Sequence, residues 1–298
     1  MDEVTTSTAG HGAPVKEAVG RYGLWSLGLR SEDPARRTEI AEAAAEIEEL
    51  GYGAVWLGGS PGVTHAVPLL DATTRLTVAT GILSIWDHEA ADTARDFAAV
   101  ESAHPGRFLL GLGVSHAKAT ERYHRPYSAM VGYLDALDAA DVPAGRRVLA
   151  ALGPKMLKLS HDRAAGSHPY LVTPEHTAQA RDILGDGPLL APELKVVLDT
   201  DPERARATAR AYLSFYLQLP NYTDNFLRLG FTEDDIAGGG SDKLIDAVFA
   251  WGDEDRVRAY AEAFHAAGAD HVALQVVDDD PQGSIPREAY RRLARLLG

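Results

Sequence analysis

Apolar and polar positions fall into blocks along the chain, short β-rich runs alternating with longer stretches of helical repeat. The clearest block is 76–116. Residues 76–82 are apolar and β-rich and end in the small pair Thr80-Gly81. From Asp92 to Ala103, the positions Ala94, Phe97, Ala98 and Glu101 recur at helical spacing. His104-Pro105-Gly106 then stops the helix. Residues 108–113 are a second apolar run, leading into Gly111-Leu112-Gly113-Val114-Ser115. Two apolar strands around one helix make a βαβ unit. Both strands finish in small residues, which leaves room for something large against their carboxyl ends.

The same alternation runs through the rest of the chain. Further strands are predicted at 22–29, 54–57, 147–152, 166–172, 194–198 and 271–277. Helices are predicted at 35–50, 65–72, 128–141, 155–163, 174–184, 255–267 and 286–297. Asp33-Pro34, Thr173-Pro174 and Asp201-Pro202 each pair a capping side chain with a first-turn proline. Residues 203–265 read as helices throughout, broken at Pro220 and Gly238-Gly239-Gly240, with Ser241-Asp242 capping a helix that runs to Trp251. Eight strands, each followed by helix, predict an all-parallel sheet covered on both faces. The count fits an α/β (β/α)8 TIM barrel with extra helices inserted after the seventh strand, and a doubly wound open sheet is the structural alternative. Residues 1–20 read as a polar tail, disordered in part, and 21–298 as one domain.

Composition narrows the possible partners. The chain has 298 residues, 45% of them hydrophobic, enough for one large core. Its formal net charge is −14, from 29 basic and 43 acidic residues, which argues against nucleic acid or an anionic membrane as partner. There is no cysteine, so disulfides, thiolate metal sites and cysteine nucleophiles are excluded. No apolar run approaches the ~20 residues that span a bilayer, and the acidic start is unlike a signal peptide. The expectation is a soluble cytoplasmic protein acting on a small molecule.

Candidate chemistry clusters at the predicted strand ends. Gly111-Leu112-Gly113 lacks the third glycine of a dinucleotide fingerprint. Its glycines permit close backbone approach, and Val114, Ser115 and His116 follow at the rim. A neutral His116 imidazole there could hydrogen-bond a substrate oxygen or relay a proton, although a histidine in a loop is by default merely solvated. Leu152-Gly153-Pro154-Lys155-Met156 opens a helix whose free N–H groups suit an anion, or bind nothing. Trp25 and Ser26, and His168 and Tyr170, end strands and either face a pocket or cap the barrel. Trp86-Asp87-His88 and the segment around Tyr123 lie in loops that could cover a ligand. Asp278-Asp279-Asp280 reads as a solvated turn, and no metal site is expected.

Several stretches now converge. ELGYGAVWLG (49–58), LTVATGI (76–82), HPGRFLLGLGVSH (104–116), VLAALGPKMLKL (148–159) and AGADHVALQV (267–276) together resemble the bacterial luciferase-like superfamily of flavin and deazaflavin oxidoreductases. GPKMLKL, PYLVTPEH, LDTDPERARATAR and SDKLIDAVFAWGD resemble its coenzyme F420-dependent subgroup. The resemblance implies a barrel with helices inserted after the seventh strand, a hydride carried on a tricyclic ring at the strand ends, and often a homodimer. It implies a cis peptide at Gly81-Ile82 beneath the ring, contacts from Gly113, Val114 and Ser115, and the cofactor phosphate near Leu152, Gly153, Pro154, Lys155 and Met156. Trp25, Ser26, Trp86, Tyr123 and His168 are the candidate substrate contacts, for a hydrophobic or conjugated small molecule. One departure stands out. Where the family often has an acidic or histidine residue at the second strand end, this chain has Gly58, Gly59 and Ser60. His116 or His88 then becomes the candidate acid or base. The alternatives are a reduced-FMN monooxygenase, or a barrel that has lost redox work and binds ligands or runs non-redox chemistry.

Overall fold

The computed structural model describes residues 13–116, 123–278 and 284–296. Helix α1 (Ala13–Val19) precedes β1 (Tyr22–Ser26). Then come α2 (Arg37–Glu49), β2 (Ala54–Leu57), α3 (Val67–Asp71), β3 (Thr77–Thr80), the two-residue β4 (Leu83–Ser84), α4 (Ala90–Ala103), β5 (Phe108–Gly113) and α5 (Pro126–Ala139). Next are β6 (Arg147–Leu149), α6 (Pro154–Arg163), β7 (Gly166–Ser167), α7 (Pro174–Leu184), β8 (Leu189–Leu190) and β9 (Glu193–Val197). The chain continues with α8 (Pro202–Tyr216), α9 (Pro220–Arg228), α10 (Glu233–Ile236), α11 (Asp242–Val248), β10 (Phe249–Trp251), α12 (Glu254–Ala266), β11 (Val272–Val276) and α13 (Arg287–Leu293). Thr173 and Asp201 cap α7 and α8 through their side chains, each with proline at the first helical position.

The strands pair in parallel, in the order β11, β1, β2, β3, β5, β6, β7, β8. β8 and β9 are two pieces of one strand, separated by Ala191-Pro192. The first piece pairs with β7 and the second with β11. At the break, Ala191 N–H donates to Ser167 O while Pro192 O accepts from Ala273 N–H, so the ring of strands closes. The seventh strand thus starts at Leu189, ahead of the predicted 194, because a proline that lacks an N–H interrupts but does not end it.

Two further expectations need correction. The helix expected to run to Trp251 stops at Val248, and Phe249–Trp251 instead pairs as a strand with β9; aromatic residues favour that pleated surface. Within the expected tail, residues 13–19 are helical, and Val15 and Val19 join the cluster that fills the barrel interior beside Ala54, Trp56 and Leu189. Residues 1–12, and Asp279 and Asp280, lie outside the described residues. Among the described residues no helix is long and apolar enough to cross a membrane.

The barrel interior is mostly small and apolar around two tryptophans, Trp25 and Trp56. Trp56 is fully buried and stacks on His168, with ring centres 4.0 Å apart. Its indole N–H donates to His271 Nε2 (3.0 Å), so the His271 proton sits on Nδ1 and is donated to Gly20 O (2.8 Å). His168 likewise donates from Nδ1 to Ala191 O (2.6 Å). Burial pushes His168 down to about 3 and His271 down to about 4, so both are neutral. The unfolded chain takes up these protons below the ordinary value of 6.5, whereas the folded chain does not until pH approaches 4. Stability is therefore fully present above pH 6.5 and lost below it, at about 1.4 kcal/mol per pH unit for each histidine. Urea unfolding at pH 7 and pH 5 checks this, and His271→Gln should remove about half of the two-histidine part of the slope.

Candidate functional site at the carboxyl ends of the strands

A cavity of about 330 Å³ opens at the carboxyl ends of the strands. The rim of the barrel supplies Trp25, Gly59, Ser60, Gly81, Ile82, Val114 to His116, Ala150 to Leu152, His168 and Tyr170. The inserted helices α8 and α9 complete the wall with Phe215, Tyr216, Asn221 and Tyr222. Among the described residues, the lining side chains include no Asp, Glu, Lys or Arg. Such a wall can position an uncharged, largely apolar ligand, but it offers no ion pair to a charged one.

Trp25 organises the floor. Its indole N–H donates to Gly81 O (2.9 Å), the carbonyl of the Gly81–Ile82 peptide, which is cis as the resemblance implies. The far edge of the indole crosses Gly58, where a Cβ would lie 2.3 Å from Cη2. The glycine that replaces a polar residue at the second strand end is thus the space that Trp25 fills. Ser60, the next departure, is a tie. Its Oγ donates to Asp87 Oδ2 (2.8 Å) and accepts from Ser84 N–H (3.2 Å), joining the loop after β2 to the one after β3. At Gly113 an added Cβ would lie 2.5 Å from Ile82 Cδ1, so this glycine seats the Ile82 side chain. Ser60 and Ser115 hold left-handed backbone, with φ of 56° and 51°, and both lie on the cavity wall. Non-glycine residues in that region gather at functional sites.

The structure brings together many of the residues expected from sequence. Trp25, Gly81, Ile82, Val114, Ser115, His116, Tyr123, Leu152, Met156 and His168 all line the cavity. The others lie off its wall. Ser26 Oγ accepts from Leu29 N–H (3.3 Å) and from the Tyr290 hydroxyl (3.2 Å). Trp86 donates to Val114 O (2.6 Å) and packs near Tyr123, so it backs the wall. His88 Nε2 lies 3.3 Å from Ser60 O. Gly153, Pro154 and Lys155 start α6, beyond the lining residues Leu152 and Met156. His116 faces Phe215 edge-on, with ring centres 5.9 Å apart. His168 is 1% exposed, and with Nδ1 committed to Ala191 its Nε2 has no hydrogen-bond partner among the described residues. That nitrogen is an acceptor for a ligand N–H or O–H and, with its pKa near 3, no proton donor at neutral pH.

Sequence reasoning missed Glu193, Lys195 and Gln275. All three are buried, and Lys195 Nζ pairs with Glu193 Oε2 at 2.7 Å. A signal was there. Charges two residues apart in a strand of a fully buried parallel sheet share one face, and apolar neighbours surround these two in Glu193-Leu194-Lys195-Val196-Val197.

Residues 19–143 match the family model for luciferase-like monooxygenases. That stretch, somewhat less than half of the chain, is similar to the luciferase-like family. Solved structures with the same luciferase-like barrel include an F420-dependent secondary alcohol dehydrogenase in complex with an F420-acetone adduct, at 13% identity and a TM-score of 0.70. The coenzyme F420-dependent tetrahydromethanopterin reductase from Methanopyrus kandleri matches at 17% and 0.68. The oxygenating constituent of 3,6-diketocamphane monooxygenase from Pseudomonas putida, in complex with FMN, matches at 13% and 0.66. Each alignment covers 93% of this chain and 98% of the other. At these identities the likeness shows the luciferase-like fold alone. No curated protein matches the sequence.

The Trp25–Gly58 contact is directly testable. Gly58→Ala should displace the indole from Gly81 O and destabilise the protein by about 1–3 kcal/mol. Thermal unfolding and tryptophan fluorescence report both effects, and an unchanged melting temperature would show that the indole does not need this space.

Proposed function

We propose that this luciferase-like chain is a coenzyme F420-dependent oxidoreductase acting on an uncharged, hydrophobic or conjugated organic molecule. The observation that carries the reading is the cavity wall, apolar and aromatic and, among the described residues, without a charged side chain. Among the described residues no group of side chains could hold a metal ion, and the reading assigns the chemistry to a bound cofactor. The residues fit a planar, mostly apolar ring. Trp25, Ile82 and Val114 offer apolar surface, and the unpartnered Nε2 of His168 offers one acceptor. The α6 amino terminus, with glycine at its cap and Lys155 beside it, suits the anionic end of such a cofactor. The whole-chain sequence resemblance favours the deazaflavin over FMN. Two of the solved structures carry F420 in their names, which agrees with that choice.

Bound there, the deazaflavin would supply the hydride donor or acceptor. The chain would hold the substrate against it, exclude water and orient its polar atom. His116, at the rim opposite Phe215, is a candidate hydrogen-bond partner for that atom.

Titration of the protein with F420, FMN and FAD, followed by fluorescence and thermal shift, tests the cofactor. F420 should bind and stabilise the protein while FMN leaves it unchanged; FMN binding alone would assign the monooxygenase alternative, and no binding would overturn both. His116→Ala should raise KM about tenfold, the effect of one lost hydrogen bond, with F420 affinity unchanged. An unaltered KM would remove His116 from the substrate site.

A further inference from the structure

Behind the neutral wall lies a polar cluster that the reading above leaves unused. Glu193 and Lys195 project from β9 with side chains 1% and 0% exposed. Lys195 Nζ lies 3.6 Å from the centre of the Tyr170 ring, and 5.5 and 5.8 Å from those of Tyr212 and Tyr216. A buried ammonium over aromatic faces is held by their quadrupoles as well as by its carboxylate.

The tyrosine hydroxyls form one knot. Tyr170 Oη is 2.7 Å from Tyr212 Oη and 3.1 Å from Tyr216 Oη, and the last two are 3.2 Å apart. Gln275 orders the knot. Tyr170 donates to its Oε1 (3.0 Å), and its Nε2 donates to Tyr212 Oη (2.7 Å). A hydroxyl has one proton to give. The Tyr170 proton goes to Gln275, so the short contact between Tyr170 and Tyr212 must be Tyr212 donating. Tyr216 keeps only the two longest contacts, and its proton is the one free to turn elsewhere. Tyr216 lines the cavity, and Tyr212 is not among the lining residues.

We infer that this knot is an oxyanion-binding pole of the cavity, where the oxygen of an uncharged carbonyl substrate docks on the Tyr216 hydroxyl and takes its proton. The inference rests on the hydride transfer proposed above. As the carbonyl carbon receives the hydride supplied by the reduced cofactor, the C=O π pair moves onto oxygen. The Tyr216 O–H bond breaks, and a new O–H bond forms on the product. As the Tyr216 proton leaves, the Tyr212 hydroxyl turns from Tyr170 to the phenolate oxygen 3.2 Å away, and the Lys195 charge supports it until solvent returns a proton after product leaves. Tyr216 is the catalytic residue and Lys195 a positioning residue.

The groups facing Lys195 are Glu193, Tyr170, Tyr212, Tyr216 and the neutral His168. Burial keeps Tyr170 and Tyr216 protonated well past the ordinary tyrosine range, so both remain donors. Burial also lowers Lys195 to about 8. The ammonium thus supports an anion at neutral pH and fades as pH rises through about 8.

The test uses 4-nitrophenol as an oxyanion probe on the full-length, cofactor-free protein, with absorbance separating its neutral and ionised forms. The bound probe should ionise at a lower pH than the free one. Tyr216→Phe, which keeps the ring, should weaken binding of the ionised form about tenfold or more without lowering the melting temperature. Lys195→Met should raise the pH at which the bound probe ionises by about one unit. Failure of 4-nitrophenol to bind, an unshifted ionisation, or unchanged affinity in Tyr216→Phe overturns the inference. Should Lys195→Met not fold, Tyr216→Phe alone decides. Parallel F420 and FMN titrations separate the two readings. A pole that takes the probe in a protein that binds neither cofactor stands without the redox reading, and cofactor binding with an unshifted probe leaves the redox reading standing alone.

Discussion

The strand from Leu189 to Val197 has to satisfy different neighbours along its length, and the cavity depends on how it does so. Its first piece bonds β7 and closes the barrel. Its second keeps β11 on one side and exchanges β7 for β10 on the other. That exchange anchors the inserted segment α8 to α11 directly beside the barrel mouth. Without it, Phe215, Tyr216, Asn221 and Tyr222 would have no fixed place, and the cavity would lack the wall that faces Trp25. The strand's inward face also carries Glu193 and Lys195, so one strand sets closure, the docking of the insertion and the buried charge.

Most of the barrel was legible in the sequence because parallel strands buried on both faces read as short apolar runs, and the helices between them announce their starts. Asp201-Pro202 and Thr173-Pro174 cap helices as local chemistry requires. The failures came where tertiary pairing overrode local signals. Phe249-Ala250-Trp251 continues a helical pattern in sequence, yet β9 offers it an open edge. Val15 and Val19 are two apolar residues in a polar stretch, and only the open end of a barrel gives them a core. At the site, glycine-rich strand ends pointed correctly to the rim. The meaning of Gly58 was hidden because its partner, Trp25, is distant in sequence. Donor accounting around Tyr170, Tyr212, Tyr216 and Gln275 joins three separate parts of the chain, and no spacing rule spans them.

The two sides of the cavity differ in kind. Around Trp25, Gly81 and Ile82 the wall is backbone and hydrocarbon, rigid because each piece fills a gap left by a glycine. Around Tyr170 and Tyr216 it is hydroxyl-bearing and backed by an ion pair. A ligand lying between them meets dispersion on one side and directional polar groups on the other. That arrangement fixes its orientation.

A wall whose described residues carry no charged side chain also has a consequence for weak bases. Entry strips water from the ligand, and among the described residues no acidic side chain on the wall compensates an ionised ammonium. The cavity therefore sorts molecules by protonation state as well as by shape. An amine of suitable outline would be admitted in proportion to its uncharged fraction. Its apparent affinity would then follow the ligand's own titration curve, so the solution outside, as much as the protein, would set which members of a chemical family reach the cavity.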